Sequence, residues 1–156
     1  MPDTRTPLKE GTILQLDKNY VIQEEIGRGA SCLVYDAYYT DSGKHRVRIK
    51  ECFPYHIKAT RNPASHIIPA KGREAQFEAA KTAFSDAYKR NTELRNREGL
   101  INATIDSKWM HAQNNTIYSI MGYIEGTDYQ KFTEECLKDI FTRMKRLCKL
   151  LAGYHK

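Results

Sequence analysis

The 156-residue sequence lacks the features that would place it in a membrane or outside the cell. No apolar run reaches the roughly 18 residues that a membrane-spanning helix needs. The amino end, MPDTRTPLKEG, has no apolar segment of the kind that a signal peptide requires. We therefore expect a cytoplasmic protein with no membrane partner.

Metal-binding and disulfide patterns are also absent from the sequence. The cysteines are far apart and include no C-x-x-C pair, and the histidines form no H-E-x-x-H pattern. We therefore expect reduced thiols, no metal site and no cofactor needed for folding. The four cysteines are Cys32, Cys52, Cys136 and Cys148.

Basic residues outnumber acidic ones, with 25 Lys and Arg against 19 Asp and Glu, for a net charge of +6. This charge suits nucleotides, nucleic acids and anionic lipids without choosing among them. The sequence contains no aromatic and basic platform of the RNA-binding type, so we expect no nucleic-acid partner. The length suits one domain with a moderate core.

The first third of the chain has the alternation and composition of antiparallel strands. Polar turns separate segments rich in β-branched and aromatic residues, which predict strands at 12–16, 19–28, 31–40 and 45–52. Residues 53–72 contain three prolines and little periodicity, which predicts a long irregular connection.

Helical spacing of apolar residues predicts a helix at about 73–97, with one face buried against the sheet. Residues 103–113 and 116–124 then predict a second hairpin. A last helix begins after a capping Thr133 and carries a continuous apolar stripe. Together these elements predict an α+β fold, with an antiparallel sheet of about five strands, one packed helix and a C-terminal amphipathic helix. The stripe consists of Leu137, Ile140, Phe141, Met144, Leu147, Cys148 and Leu151.

The stretch IGRGASCLVYDAYYTDSGKHRVRIKE (26–51) places G-x-G between two predicted strands. A dinucleotide-binding loop would need a helix after it, and a Walker A loop would need G-K-[ST]; neither follows. A plain tight turn is the simplest alternative. In its β-hairpin context the stretch resembles the protein kinase loop G-x-G-x-x-G-x-V. Gly27, Gly29 and Val34 match this pattern, and Cys32 replaces the third glycine.

The resemblance extends beyond this loop. VRIK (47–50) resembles the kinase V-A-I-K strand, and YSIMGYIEG (118–126) resembles the strand and hinge beside the adenine. CKLLAGYHK (148–156) resembles the end of the helix before the catalytic loop. The chain is therefore similar, over nearly its whole length, to the amino-terminal lobe of a bacterial-type serine/threonine protein kinase that stops before the catalytic loop.

This resemblance implies an ATP site, with ATP and magnesium as the ligands of the intact kinase. Lys50 would pair with the α and β phosphates, Met121 would be the gatekeeper, and Gly122 to Ile124 would form the hinge. Residues 1–121 would be the N-lobe with its glycine-rich loop at 26–34, residues 122–132 the hinge and linker, and residues 133–156 the first helical part of the C-lobe. The implied ATP-binding residues are Ile26, Gly27, Gly29, Ser31, Cys32, Val34, Lys50, Glu93, Met121, Tyr123 and Ile124.

Two departures from the kinase pattern concern the binding site itself. Arg48 replaces the small alanine against which kinases pack adenine, and its guanidinium could either stack on the purine or obstruct it. The helix residue that would pair with Lys50 is either Glu93, which we favour, or Asn91.

The third departure concerns catalysis. The kinase catalytic-loop Asp and Asn and the D-F-G motif do not occur in these residues. We therefore expect the nucleotide-binding lobe of a kinase that transfers phosphate from ATP to protein Ser/Thr in its intact form, while this chain alone is inactive. The alternative is a pseudokinase-like partner-binding module. We also expect self-association through residues 134–151, and a thiolate-favouring environment around Cys32.

Overall fold

One antiparallel sheet of six strands dominates the computed structural model, which describes residues 3–96, 107–123 and 140–154. The spatial order of the strands is β1-β2-β3-β4-β8-β7, and β5 and β6 form a separate two-stranded hairpin. The α+β class is confirmed, and the sheet has six strands where about five were predicted. The strands are β1 (Ile13–Gln15), β2 (Asn19–Arg28), β3 (Cys32–Thr40), β4 (Lys44–Cys52), β5 (Thr60–Arg61), β6 (Ile67–Ile68), β7 (Ser107–Gln113) and β8 (Thr116–Gly122).

Two helices and one short turn complete the described structure. They are α1 (Glu74–Asn96), α2 (Ile140–Tyr154) and a 3₁₀ turn at Tyr55–Ile57. Helix α1 agrees with the prediction to within a residue at each end. The predicted start of the last helix and most of the predicted hinge and linker lie outside the described residues. Within the part that is described, no helix has the length and apolar character to cross a membrane.

Strand alternation builds the core. In β3, Leu33, Tyr35 and Ala37 are buried, and in β4 their counterparts are Val47 and Ile49. Side chains two residues apart in a strand share a face, so these five side chains line the inner side of the sheet. The residues between them form the opposite face, which carries the candidate site.

One carboxylate is buried within this core. Glu51 is fully buried in β4, and it accepts hydrogen bonds from the hydroxyls of Tyr35 (2.7 Å) and Tyr118 (2.8 Å) and from Arg61 Nη2 (2.6 Å). The Tyr35 hydroxyl in turn accepts the backbone N–H of Leu8 at 3.1 Å. A buried charge is tolerated when it is paired and hydrogen-bonded, as it is here.

The predicted irregular connection at 53–72 is instead partly ordered. A hairpin of β5 and β6 turns between Asn62 and His66, whose backbone N–H donates to Asn62 Oδ1 at 2.9 Å. Arg61 donates to the Ser65 carbonyl at 2.8 Å, and Ser65 adopts a positive φ of 68°. The rest of the connection is irregular, as predicted, and the short hairpin was missed because its Arg61 reaches Glu51 in the main sheet, a contact that no local periodicity reveals.

Helix α1 packs less closely on the sheet than predicted. Phe77 is its buried residue, whereas Ala80, Phe84 and Tyr88 are half-buried and Ala87 is exposed. The side chain of Leu94 lies outside the described part of the structure. The loose packing leaves a mostly apolar cavity of about 500 Å³ between the helix and the segment after β4. Its walls include Ser31, Pro54, His56, Ala80, Ala83 and Ala87.

Candidate functional site

A short hairpin loop joins β2 to β3 at residues 29–31. The Gly29 N–H donates to the Cys32 carbonyl at 2.9 Å, which closes the turn, and Gly27 lies opposite Val34 in the ladder. A Cβ built on Gly27 or Gly29 meets no atom within 4 Å, and the residues with positive φ include neither glycine. Glycine at these positions is therefore required neither by the packing nor by the backbone conformation of the described chain.

Residues 3–5 of the amino-terminal segment form a strap that is hydrogen-bonded to this loop. Arg5 is 6% exposed, and its guanidinium donates to the carbonyls of Gly29 (2.9 Å) and Phe53. Asp3 accepts hydrogen bonds from Arg5, which lower the pKa of the Asp3 carboxyl well below its usual range. This strap is not predictable from the sequence, because a single Asp-x-Arg near a terminus indicates no particular contact.

Lys50 lies on the face opposite the core, in a row with Val34 of β3 and Ser119 of β8. It is half-buried, and among residues 3–96, 107–123 and 140–154 it forms no ion pair. Lysine normally carries a full charge at neutral pH, so this row presents a cation to any ligand beside the loop. Val34 would supply the apolar surface next to it.

The adjoining row contains two arginines and an aromatic ring. Arg48 lies between Asp36 and Met121, two residues before Lys50 and on the same face of β4. Arg46 donates to both carboxylate oxygens of the buried Asp36, at 2.9 and 3.0 Å. The Tyr123 ring centroid lies 4.0 Å from the Arg46 guanidinium carbon and 5.3 Å from that of Arg48. Arg48 thus lies near the Tyr123 ring and opposite Met121 in the strand ladder.

Arg48 also contains a buried polar atom. Its Nε is shielded from solvent and has no hydrogen-bond partner in the described part of the chain. An unpaired buried N–H costs on the order of 1–3 kcal/mol, so this side chain gains from any added acceptor. The row therefore offers both positive charge and an unused donor.

No protein-family model matches the chain, and no curated protein matches it. Among solved structures, the chain is similar to the apo form of PpkA-294, a fragment of a bacterial serine/threonine kinase, with a TM-score of 0.67. The chain has a kinase-like fold. Identity is 24%, and the match covers 86% of this chain and 44% of that one. The chain thus spans less than half the length of PpkA-294, and the likeness concerns the fold alone.

The kinase-like sheet brings most of the predicted site residues together. Gly27, Val34, Lys50 and Met121 belong to neighbouring strands, and the loop with Gly29 and Ser31 adjoins them. Met121 is buried, Tyr123 is half-buried, and Ile26 is 44% exposed. Ile124 lies outside the described residues.

The kinase-like arrangement does not bring Glu93 or Asn91 to Lys50. Both residues are exposed on the last turns of α1, and within the described ranges neither forms an ion pair or hydrogen bond with Lys50. The charged α1 residue that acts on β4 is Lys81, whose positive charge opposes the rise in the pKa of Cys52. The Lys81 ammonium also lies 2.7 Å from Glu78 Oε1 on the same helix.

Cys32 is half-buried at the start of β3, and its environment does not favour the thiolate. Burial raises the pKa of the Cys32 thiol, and the positive charges of Lys50 and Arg5 oppose this rise without cancelling it. The predicted thiolate-favouring environment is therefore wrong, because partial burial disfavours the charged thiolate more than the nearby cations favour it. Cys148 is exposed on α2, so we now expect it to be alkylated faster than Cys32.

Proposed function

We propose that this chain is the nucleotide-binding lobe of a serine/threonine protein kinase that, in its intact form, transfers phosphate from ATP to protein Ser/Thr. One observation carries the proposal. The lysine of the VRIK strand lies beside a hairpin whose two glycines, Gly27 and Gly29, are required by nothing within the described chain. Glycines leave backbone N–H groups accessible to phosphate oxygens, and the Lys50 ammonium neutralises phosphate charge.

ATP fits the phosphate side of this site better than the adenine side. Gly27, Gly29 and Lys50 would hold the phosphates, and Ile26 and Val34 would contact the base. Arg48 stands where a small residue would leave room for a purine ring, and Tyr123 and Met121 flank it. Magnesium would accompany the phosphates, but the catalytic-loop and D-F-G residues that position it in kinases do not occur in these 156 residues. We therefore expect weak nucleotide binding and no phosphate transfer by the chain alone.

A titration of the ¹⁵N-labelled chain with MgATP, followed by amide chemical shifts, tests the proposal. We expect a weak site, not a submicromolar one, with shifts centred on Gly27, Gly29 and Lys50. Lys50→Met should abolish these shifts, whereas Lys44→Met, which removes an exposed cation from the same strand, should leave them unchanged. Equal shifts in both variants would mean that ATP only senses the net positive charge, and the proposal would then be wrong.

The second candidate is a pseudokinase-like module that binds a partner protein, and the position of Arg48 favours it. If Arg48 only obstructs the purine, Arg48→Ala should strengthen MgATP binding in the same titration. If the face has no nucleotide function, Arg48→Ala should leave the chain unresponsive. The two variants thus separate a hindered nucleotide site from a surface that never binds nucleotide.

A further inference from the structure

Two cysteines lie directly opposite each other at the base of the glycine-rich hairpin. Cys32 begins β3, Cys52 ends β4, and their Cα atoms are partners in the antiparallel ladder. The neighbouring pair is hydrogen-bonded, since the Phe53 N–H donates to the Ser31 carbonyl at 3.1 Å. Antiparallel pairs alternate, so Cys32 and Cys52 form a non-hydrogen-bonded pair, the kind in which side chains are closer.

This register suits a disulfide. Non-hydrogen-bonded pairs have Cα atoms about 4.5 Å apart, and disulfides usually join Cα atoms about 4.4–6.8 Å apart. Both thiols are free in the structure, and both side chains project from the same face because the residues are opposite each other. A bond between them would need rotation of the side chains without displacement of the strands.

We propose that Cys32 and Cys52 form a dithiol that hydrogen peroxide oxidises to an intrachain disulfide across β3 and β4. This inference rests on the strand register and does not depend on nucleotide binding. The sequence alone predicts separate reduced thiols, because 19 residues lie between Cys32 and Cys52 and only the hairpin brings them together.

The different exposure of the two thiols indicates which of them reacts with peroxide first. Cys32 is the more exposed of the two thiols; burial raises the pKa of its thiol, and the charges of Lys50 and Arg5 oppose this rise. Its thiolate attacks one peroxide oxygen, the O–O bond breaks, and a sulfenic acid and water result after proton transfer. Cys52 is fully buried, with Cys32, Lys81 and Glu51 as the charged or titratable groups around it. It then attacks the sulfenic sulfur and expels a second water. Two thiols and one peroxide thus give one disulfide and two waters.

The disulfide would tie the second side of the glycine-rich loop to the strand that carries Lys50. A covalent link between residues 32 and 52 also restricts the unfolded chain, so it should raise the melting temperature. The turn at residues 41–43 already joins β3 and β4 at one end of their ladder, and the disulfide would join them at the other end.

The test is peroxide treatment of the dilute, fully reduced chain, followed by alkylation, digestion without reduction and mass spectrometry. We expect a linked Cys32–Cys52 peptide, two hydrogens lighter than its separate parts, and a higher melting temperature that returns to the reduced value with dithiothreitol. Cys148→Ser, which alters an exposed thiol on α2, should give the same link. Cys32→Ser should give none and should not gain melting temperature on oxidation.

Because Cys52 is fully buried, its replacement by serine would also place a polar group in the interior, so Cys32→Ser, at the half-buried position, serves as the decisive variant. The proposal is overturned if the folded wild-type chain accumulates sulfenic or sulfinic Cys32 without the link. It is also overturned if the recovered disulfides join Cys136 or Cys148 instead.

Discussion

The Glu51 carboxylate and the Arg61 guanidinium form an ion pair with 2.6 Å between Oε2 and Nη2, in which the Glu51 side chain is fully buried and the Arg61 side chain is 5% exposed. Burial by itself would lower the pKa of Arg61, but the Glu51 charge and hydrogen bond outweigh it and the pKa is raised. The pair joins β4 to the β5 and β6 hairpin, and the hydroxyls of Tyr35 and Tyr118 complete the coordination of Glu51.

Breaking this pair should be costly. Arg61→Met has a similar volume but leaves the Glu51 charge without a cation, and such a change typically costs about 3–5 kcal/mol of unfolding free energy. Urea unfolding followed by circular dichroism measures the effect. Lys18→Met, which breaks the exposed ion pair with Asp41, is the matched control and should leave the urea midpoint nearly unchanged. Equal effects of the two substitutions would contradict the assigned role of Glu51 and Arg61.

Stability should also fall at alkaline pH. Burial raises the pKa of Cys52 from 9 to about 12, and burial likewise raises the pKa of Tyr35 and Tyr118. These groups are neutral when protonated, so the unfolded chain loses their protons at lower pH than the folded chain. Their contribution is complete below pH 9 and is lost as the pH rises toward the folded values. Cys52→Ala should therefore lose less stability between pH 9 and 10 than wild type, measured as urea midpoints.

Substitution of Gly27 and Gly29 should change stability and nucleotide binding in opposite directions. Gly27→Ala and Gly29→Ala find free space and no positive φ, so each should leave the fold intact and raise its stability by up to about 1 kcal/mol. The added methyl groups would stand where phosphate oxygens approach, so binding of MgATP should weaken. Gly72→Ala is the contrasting variant, because Gly72 has a positive φ of 78° and should lose stability. Unchanged nucleotide binding in the loop variants would count against the proposed phosphate site.

Arg5 should control the mobility of the glycine-rich loop. Arg5→Ala removes the donors to the Gly29 and Phe53 carbonyls and should speed amide hydrogen exchange at residues 29–32. Arg5→Lys should rescue only part of the protection, because an ammonium does not reproduce the planar fork of a guanidinium. Lys9→Ala changes an exposed cation of the same segment and should leave exchange at the loop unchanged. Uniform exchange in all variants would mean that the strap does not restrain the loop.

Helix α2 should mediate self-association through its exposed apolar side chains. Phe141 is 84% exposed and Met144 58%, and Leu147 and Leu151 are each 47% exposed. Burying a large apolar side chain contributes roughly 1.5–3 kcal/mol, so pairing with a second copy is favourable at high concentration. Equilibrium sedimentation should show dimers that a Phe141→Glu and Leu147→Glu double variant abolishes. The same carboxylates placed at Lys145 and Lys149 should allow association, and a monomeric wild type would refute the prediction.

Local periodicity in the sequence determined most of the secondary structure and the composition of the candidate face. Strands β2, β3 and β4 and helix α1 were predicted within one or two residues, because alternation and helical spacing are properties of neighbouring residues. Alternation in β4 by itself is sufficient to place Arg48 and Lys50 on one face of the strand.

Only the tertiary structure decided which distant groups meet. Glu51 falls on the core side of β4, where a carboxylate is unexpected, and its partners Tyr35, Arg61 and Tyr118 come from three other strands. The strap of Arg5 on Gly29 and the pairing of Cys32 with Cys52 likewise depend on strand register and chain path. Periodicity is insensitive to register, since a shift by two residues preserves every inward and outward position while changing every partner.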